Sequence, residues 1–398
     1  MSDESFDIVV VGAGAAGSSA ALAFARDGFR TALVGPLDAR RDGRTVALLN
    51  GSVRLIDALG VWPAVQQQAA PLETMRLIDD TGSLFRPPPV AFRAGEIGLD
   101  AFGWNVENAG LVDILGEAAR NEPGLTLIEG QAAGWEPGAD RATVTLRSGQ
   151  TLSCLLGVAA DGRNSALRQA SGIGTRSWSY PQAALTTILA HERPHRETST
   201  EFHTRHGPFT LVPLPGRRSS LVWVARPEEA KRLSGLADDE LAAVIERQAQ
   251  SMLGRMRVDG PRGLVPMSGL SVERFQAQRL ALVGEAAHVF PPIGAQGLNL
   301  GMRDVAALRD AAVDGRADPG SAAVLQAYQR GRDLDVRLRT AAVDGLNRTL
   351  LSGLLPADFL RGAGLLAIGG IGPLRRAVMR EGVLPRLNAP RLMQDPRP

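Results

Sequence analysis

Apolar and polar residues recur with two different periods along this chain, and the changes between them mark its elements. Phe6 to Val11 (FDIVVV) is a short apolar run of the kind buried at the centre of a parallel sheet. Ser18 to Asp27 is Ala-rich and helical, Gly28 stops it, and Thr31 to Val34 is the next strand. Asp42 to Asn50 is a turn and an apolar run, and Ser52 to Val65 is an amphipathic helix closed near Trp62-Pro63. Met75 to Phe85 reads as a hairpin arm turning at Asp80-Thr81-Gly82, and Pro87-Pro88-Pro89 forbids a helix after it. Val112 to Arg120 is helical and Leu125 to Glu129 a short strand. Ala142 to Leu146 and Thr151 to Gly157 flank a hairpin turn at Ser148-Gly149. Between 183 and 225, ALTTILA, TEFHTRH, PFTLVPL and SLVWVAR are β-rich runs that predict an inserted antiparallel sheet. Asp238 to Leu253 is an amphipathic helix. A buried strand at Leu280 to Val283 leads to a Pro/Gly loop from Pro291 to Gly297, then a helix from Leu298 with Arg303 and Asp304 exposed. From Ala322 the pattern is helical, and 362–372 is small and apolar.

Three of these junctions carry chemistry. The first strand runs into GAGAAG at 12–17, then helix, then strand, which is a βαβ unit with a dinucleotide fingerprint. Gly12 permits the tight turn, Gly14 lets backbone approach a pyrophosphate, and Gly17 allows close helix–strand packing, with Ala15 and Ala16 between them. The second strand of such a unit ordinarily ends on an acid that holds the ribose hydroxyls, but in TALVGP that place is taken by Gly35. Losing a charge-assisted hydrogen bond of roughly 1.5–3 kcal/mol weakens the ligand by about tenfold to a hundredfold. Asp38 or a backbone group is a candidate substitute. Arg44 is either a contact to cofactor or incoming substrate, or a solvated turn charge. The second junction is VAADGRNSALR at 158–168, a strand, Asp161-Gly162-Arg163 and a new helix; Asp161 either caps that helix or holds a ligand hydroxyl. The third is GEAAHVFPPIGAQGLNLGMRD at 284–304. A loop that opens into a helix presents free N–H groups and the positive end of a dipole to a phosphate or to the N1–C2=O edge of a reduced flavin. Glu285 stands just after the strand, where it could hold hydroxyls. His288 suggests a general base, but a structural histidine hydrogen-bonded beside the loop is the preferred reading.

Composition narrows the class. The 398 residues suffice for two or three domains, and 44% apolar with 22% charged residues is ordinary for a globular protein. A net charge of +2 without any nucleic-acid-binding motif argues against a nucleic-acid partner. The single cysteine, Cys154, excludes an internal disulfide, and its apolar run predicts a buried thiol rather than a nucleophile. The acidic start entering directly into a strand is no signal peptide, and no apolar run reaches the roughly 18 residues of a membrane span, so a cytoplasmic location is expected.

The three motifs in this order resemble the single-component flavin aromatic hydroxylases of the p-hydroxybenzoate hydroxylase fold. Further runs are similar to the ubiquinone-biosynthesis hydroxylases: GVW at 60–62, GWNVEN at 103–108, Trp178-Tyr180-Gln182, HGP at 206–208, LPG and LVW between 214 and 223, and Asp344-Gly345-Leu346. The resemblance implies an α/β (α+β) chain with a discontinuous Rossmann-like FAD-binding domain (1–73, 97–176 and 272–340). It implies an antiparallel β-sheet substrate domain (74–96 and 177–271) and a C-terminal helical region (341–398). It also implies that FAD is held by Gly12, Gly14, Ala15, Ala16, Gly17, Arg44, Asp161, Gly162, Glu285, Pro292, Gly297 and Leu298. Glu285 takes the place of the family's usual Asp on the ribityl chain. By the same resemblance NAD(P)H is a transient co-substrate, and O2 supplies the hydroxyl oxygen to an electron-rich ring. No protein residue is assigned to catalysis, because the flavin carries the chemistry.

The leading expectation is therefore hydroxylation of a polyprenylated phenol or quinone precursor, a hydrophobic aromatic small molecule. Other ubiquinone-biosynthesis proteins are candidate partners. Eight arginines from residue 346 onward (348, 361, 375, 376, 380, 386, 391 and 397) suit contact with an anionic membrane surface as well as they suit a solvated helical cap. Two alternatives remain: a hydroxylase of a soluble aromatic compound, and a non-catalytic scaffold subunit, the latter motivated by Gly35 and Glu285.

Overall fold

A computed structural model of the chain describes residues 4–36, 41–82, 88–291, 296–351, 372–383 and 389–394. Its centre is a twisted sheet in which five strands run parallel, in the order Leu125–Ile128, Thr31–Val34, Glu4–Val11, Thr151–Ala159 and Leu280–Leu282. The apolar run FDIVVV is its middle strand, and Ile8, Val9 and Val10 are wholly buried. Such a strand must be apolar on both sides, because helices cover one face and a hairpin extension covers part of the sheet's other flank. That hairpin, Ala142–Leu146 on Thr151–Ala159, forms with the register its turn implies. Cys154 is buried within it, and burial pushes its thiol up to about 12.

The β-rich segment forms a second sheet of nine strands, built around the long strand Thr175–His191. Its pairings are antiparallel, with one exception: Thr198–Thr204 runs parallel to Thr74–Asp79, a strand supplied from the first third of the chain. One face packs against helices Pro227–Ser234 and Asp238–Gln248 through Leu185, Phe209, Leu221, Leu233, Leu241 and Ile245. The second of these helices stops at Gln248, short of Leu253, where Gln250 and Ser251 adopt positive φ.

Other expectations need correction. Trp62-Pro63 does not close a helix. The first helix ends at Ala58, and the proline sits in the first turn of a new one, Trp62–Gln66, where its missing N–H costs nothing. Arg303 and Asp304 are not exposed. The helix Gln296–Asp314 is buried nearly all round between residues 299 and 306, against the first helix (Ala15–Arg26) and the long helix Ala322–Leu351. Among the described residues no helix is long and apolar enough to cross a membrane. Of the eight C-terminal arginines, Arg375 pairs with Glu96 at 2.7 Å and Arg391 with Asp314 at 2.6 Å, while Arg376 and Arg380 are exposed. The side chain of Arg348 and residues 361, 386 and 397 lie outside the described residues, as do 362–371.

Candidate functional site

The three motifs end on adjacent strands of the parallel sheet, and so they meet. Backbone bonds lock the strand ends together: Gly12 N–H to Val34 O at 2.7 Å, Ala160 N–H to Val11 O at 2.7 Å, and Val283 N–H to Ala159 O at 2.9 Å. Above them opens a cleft of about 330 Å³. Its wall takes Gly14 to Gly17 from the first motif, Ala160 and Gly162 from the second, and Val283 to Glu285, Gly297, Leu298 and Gly301 from the third. Arg44 lines it from the facing side.

The glycines earn their places differently. Gly12 has φ +115°, and a Cβ on it would lie 2.2 Å from Ala160 O. A Cβ on Gly17 would lie 1.7 Å from Gly12 O, so the helix could not sit so close to the strand. Among the described residues, Gly14, Gly162 and Gly297 have no neighbouring atom within 4 Å where a Cβ would project; they leave space open. The first helix has Gly14 as its N-cap, no side-chain cap and no acid in its first turn, so its amides remain available to an anion.

The two oxygens of Asp161 stand in different surroundings. Its Oδ2 accepts from the Ala166 amide at 2.8 Å and the Leu167 amide at 3.4 Å, so it caps the new helix, while Ser165 Oγ accepts from Arg168 N at 3.1 Å. Its Oδ1 is buried and has no partner among the described residues. A buried acceptor left so costs about 1–3 kcal/mol unless a ligand hydroxyl reaches it. That orphan oxygen, the three open glycines and the uncapped helix end fit a flavin adenine dinucleotide.

The remaining expected residues divide. Glu285 is exposed on the cleft wall. Arg44 lies at the mouth, and its guanidinium pairs with Asp42 at 2.8 Å, so it is both a turn charge and a cleft residue. Pro292 lies outside the described residues, as does Asp38. His288 is buried, is not part of the wall, and binds Asp304 at 2.6 Å. A Cβ on Gly35 would lie 2.6 Å from Ala13 N, so the glycine that replaces the usual acid is also the residue this close turn permits. The sequence reading missed Thr45, Val46, Asn108 and Val112, which also line the cleft. The Asn108 amide donates to Arg44 O at 3.0 Å, and its place in GWNVEN was the one available signal.

Comparison with known proteins agrees with this geometry. The FAD binding domain family matches residues 5–338. The chain is 34% identical to the ubiquinone hydroxylase UbiL of Rhodospirillum rubrum, over 96% of this chain and 90% of that one. It is 31% identical to the 3-demethoxyubiquinol 3-hydroxylase of Escherichia coli, over 96% and 99%. Among solved structures, p-nitrophenol 4-monooxygenase PnpA from Pseudomonas putida superposes with a TM-score of 0.79 at 17% identity, covering 95% of this chain and 98% of that one. Klebsiella pneumoniae HpxO, solved with FAD and uric acid, superposes at 0.76 and 20% identity over 98% of each chain. This chain belongs to the family of FAD-dependent hydroxylases of ubiquinone biosynthesis.

Proposed function

We propose that the protein hydroxylates the aromatic ring of a polyprenylated phenol or quinone precursor of ubiquinone, with FAD, NAD(P)H and O2. The observation that carries this reading is the cleft at which three motifs distant in sequence converge; Asp161, with its orphan oxygen, stands in the chain between two of the wall residues, Ala160 and Gly162. Its relatives named for ubiquinone hydroxylation support the substrate class. FAD, when bound and reduced by NAD(P)H, supplies the activation of O2 for the ring.

The chain's own residues bind and orient. In this proposal the N-terminal amides at Gly14 to Gly17 take the pyrophosphate, with Gly12 and Gly17 keeping the helix close. Asp161 and Glu285 accept from cofactor hydroxyls, and Gly162 leaves room beside them. Gly297 and Leu298 bring the N-terminal end of Gln296–Asp314 to the ring system, where its dipole favours developing negative charge. Arg44 stands at the mouth. The FAD-binding part comprises 1–73, 97–176 and 272–340, the substrate part 74–96 and 177–271, and the C-terminal region 341–398 begins inside the helix Ala322–Leu351. Peripheral membrane contact through the basic C-terminal region belongs to the same proposal. It predicts that the full chain cosediments with vesicles rich in anionic lipid and not with neutral ones.

The test is the visible absorption spectrum of the purified protein before and after addition of FAD and desalting. It is followed by turnover of a short-chain prenylated phenol under labelled dioxygen. Retained flavin and one labelled oxygen in the product are expected. Flavin binding with hydroxylation only of non-prenylated aromatics would replace the substrate assignment, and no flavin binding at excess FAD would overturn the enzyme reading.

A further inference from the structure

Behind the cleft lies a cluster of buried charges, Asp304, His288, Arg332, Asp335 and Arg303, none of which lines the cleft itself. Asp304 is fully buried. Its Oδ2 accepts from the Gly284 amide at 3.0 Å and from His288 Nε2 at 2.6 Å, and its Oδ1 accepts from Arg332 Nε at 2.7 Å. Arg332, 1% exposed, also donates from Nη1 to Asp335 Oδ2 at 2.6 Å, and Arg303 Nε reaches the same oxygen at 2.9 Å. Buried ion pairs gain little stability over apolar packing of the same volume, because each charge first loses its water. What they provide is direction.

The direction here is specific. Asp304 grips both ends of one short turn, at Gly284 and at His288. From the other side, Arg168 Nη1 donates to Ala286 O at 2.8 Å. Gly284 has φ +60°, and its Cα stands 3.0 Å from where a Cβ on Gly301 would be, so the turn lies directly against the helix. The turn is thus held at two backbone points, Gly284 and Ala286, and through the His288 side chain, and the side chain left facing the cleft is Glu285.

We propose that Asp304 is a positioning residue for the cofactor: through the Gly284 amide and His288 it sets where the Glu285 carboxylate stands in the cleft. The role rests on the reading of the cleft as the FAD site. It acts through Glu285, so it is separable from a contribution to folding alone.

A double-mutant cycle tests it. FAD affinity, from quenching of flavin fluorescence, and the thermal midpoint of the FAD-free protein are measured for wild type, Asp304→Asn, Glu285→Gln and the double variant. Asp304→Asn is expected to weaken FAD by about tenfold or more in the wild-type background. Its effect is expected to shrink below about threefold once Glu285 is Gln, since no carboxylate remains to be placed. Equal weakening in both backgrounds overturns the proposal, as does a lower thermal midpoint with unchanged FAD affinity. Should Asp304→Asn fail to fold, His288→Leu frees one end of the turn while leaving the Arg332 pair, and the same cycle with the same outcomes applies. Wild type that quenches no flavin fluorescence overturns the cofactor reading, and the positioning role with it. Quenching with additive effects overturns the positioning role alone.

Discussion

Replacing Asp161 by Asn separates the cap that its carboxylate makes from the cofactor contact proposed for it. Oδ2 caps a helix through the Ala166 and Leu167 amides, while Oδ1 is buried without a partner among the described residues. An Asn carbonyl can take over the capping, since Asn and Asp are about equal as caps. The FAD-free protein should therefore lose less than about 0.5 kcal/mol. The other oxygen becomes an NH2 group, which donates where an acceptor is needed. A hydrogen bond to a charged acceptor contributes roughly 1.5–3 kcal/mol. At about 1.4 kcal/mol per decade, FAD affinity should fall by about tenfold to a hundredfold. Asp161→Ala should show the same loss of affinity and, in addition, about 1 kcal/mol of lost capping. Flavin fluorescence quenching reads the first quantity and urea unfolding of the FAD-free protein the second. An Asn variant that binds FAD as tightly as wild type, or one that is as unstable as the Ala variant, would refute the division of labour.

Further outcomes follow from the same packing. Gly17→Ala, whose Cβ would stand 1.7 Å from Gly12 O, should push the first helix off its strand, costing about 1–3 kcal/mol by urea unfolding and abolishing FAD retention on desalting. Arg332→Met leaves Asp304 buried without its cation and should cost about 3–5 kcal/mol in the same assay. Burial alone would raise the Asp304 carboxyl, but His288 and Arg332 overcome it and hold the group below its ordinary 3.8. A depressed acid contributes stability above its unfolded value and loses it as pH falls through the folded one, so wild type should destabilise on acidification below about pH 4, and Asp304→Asn should show a shallower acid limb. The Cys154 thiol, buried and raised to about 12, should ignore a disulfide-exchange reagent at pH 8 in the native protein and react once urea unfolds it.

Much of this fold was legible because its pieces are local. The first strand, the GAGAAG turn and the hairpin at Ser148-Gly149 are each specified by neighbouring residues, and the structure forms them where the pattern puts them. What was not legible depends on partners far along the chain. Strand alternation does not encode pairing direction, so the parallel contact of Thr198–Thr204 with Thr74–Asp79 was invisible. Proline opens a helix as readily as it ends one, so Trp62-Pro63 was read the wrong way round. Asp304 was misread for a sharper reason. A charge on a helix faces water unless a counter-charge meets it, and that counter-charge is Arg332, on the next helix. Thr45, Val46 and Val112 line the cleft from runs that look like ordinary strand and helix, with no chemical signature of their own.

Gly35 and Glu285, the two departures that the resemblance implies, have different physical weight. Gly35 is tied to its surroundings: the Ala13 backbone fills the space a side chain would need, so an acid cannot stand there without moving the turn at Ala13. The proposed FAD site then has to draw its hydroxyl contacts from elsewhere, and the candidates are Glu285 on the cleft wall and the orphan oxygen of Asp161, which stands between the wall residues Ala160 and Gly162. Glu285 is one methylene longer than Asp, so it reaches about 1.5 Å further. It also has one more torsion to immobilise, and ordering such a side chain costs up to about 2 kcal/mol. A longer arm on a loose turn would give up most of its hydrogen bond to that cost. On a turn held at Gly284, Ala286 and His288, only the arm itself has to be ordered. The buried charges around Asp304 and the long side chain of Glu285 thus make physical sense together, in that the rigidity of one offsets the length of the other.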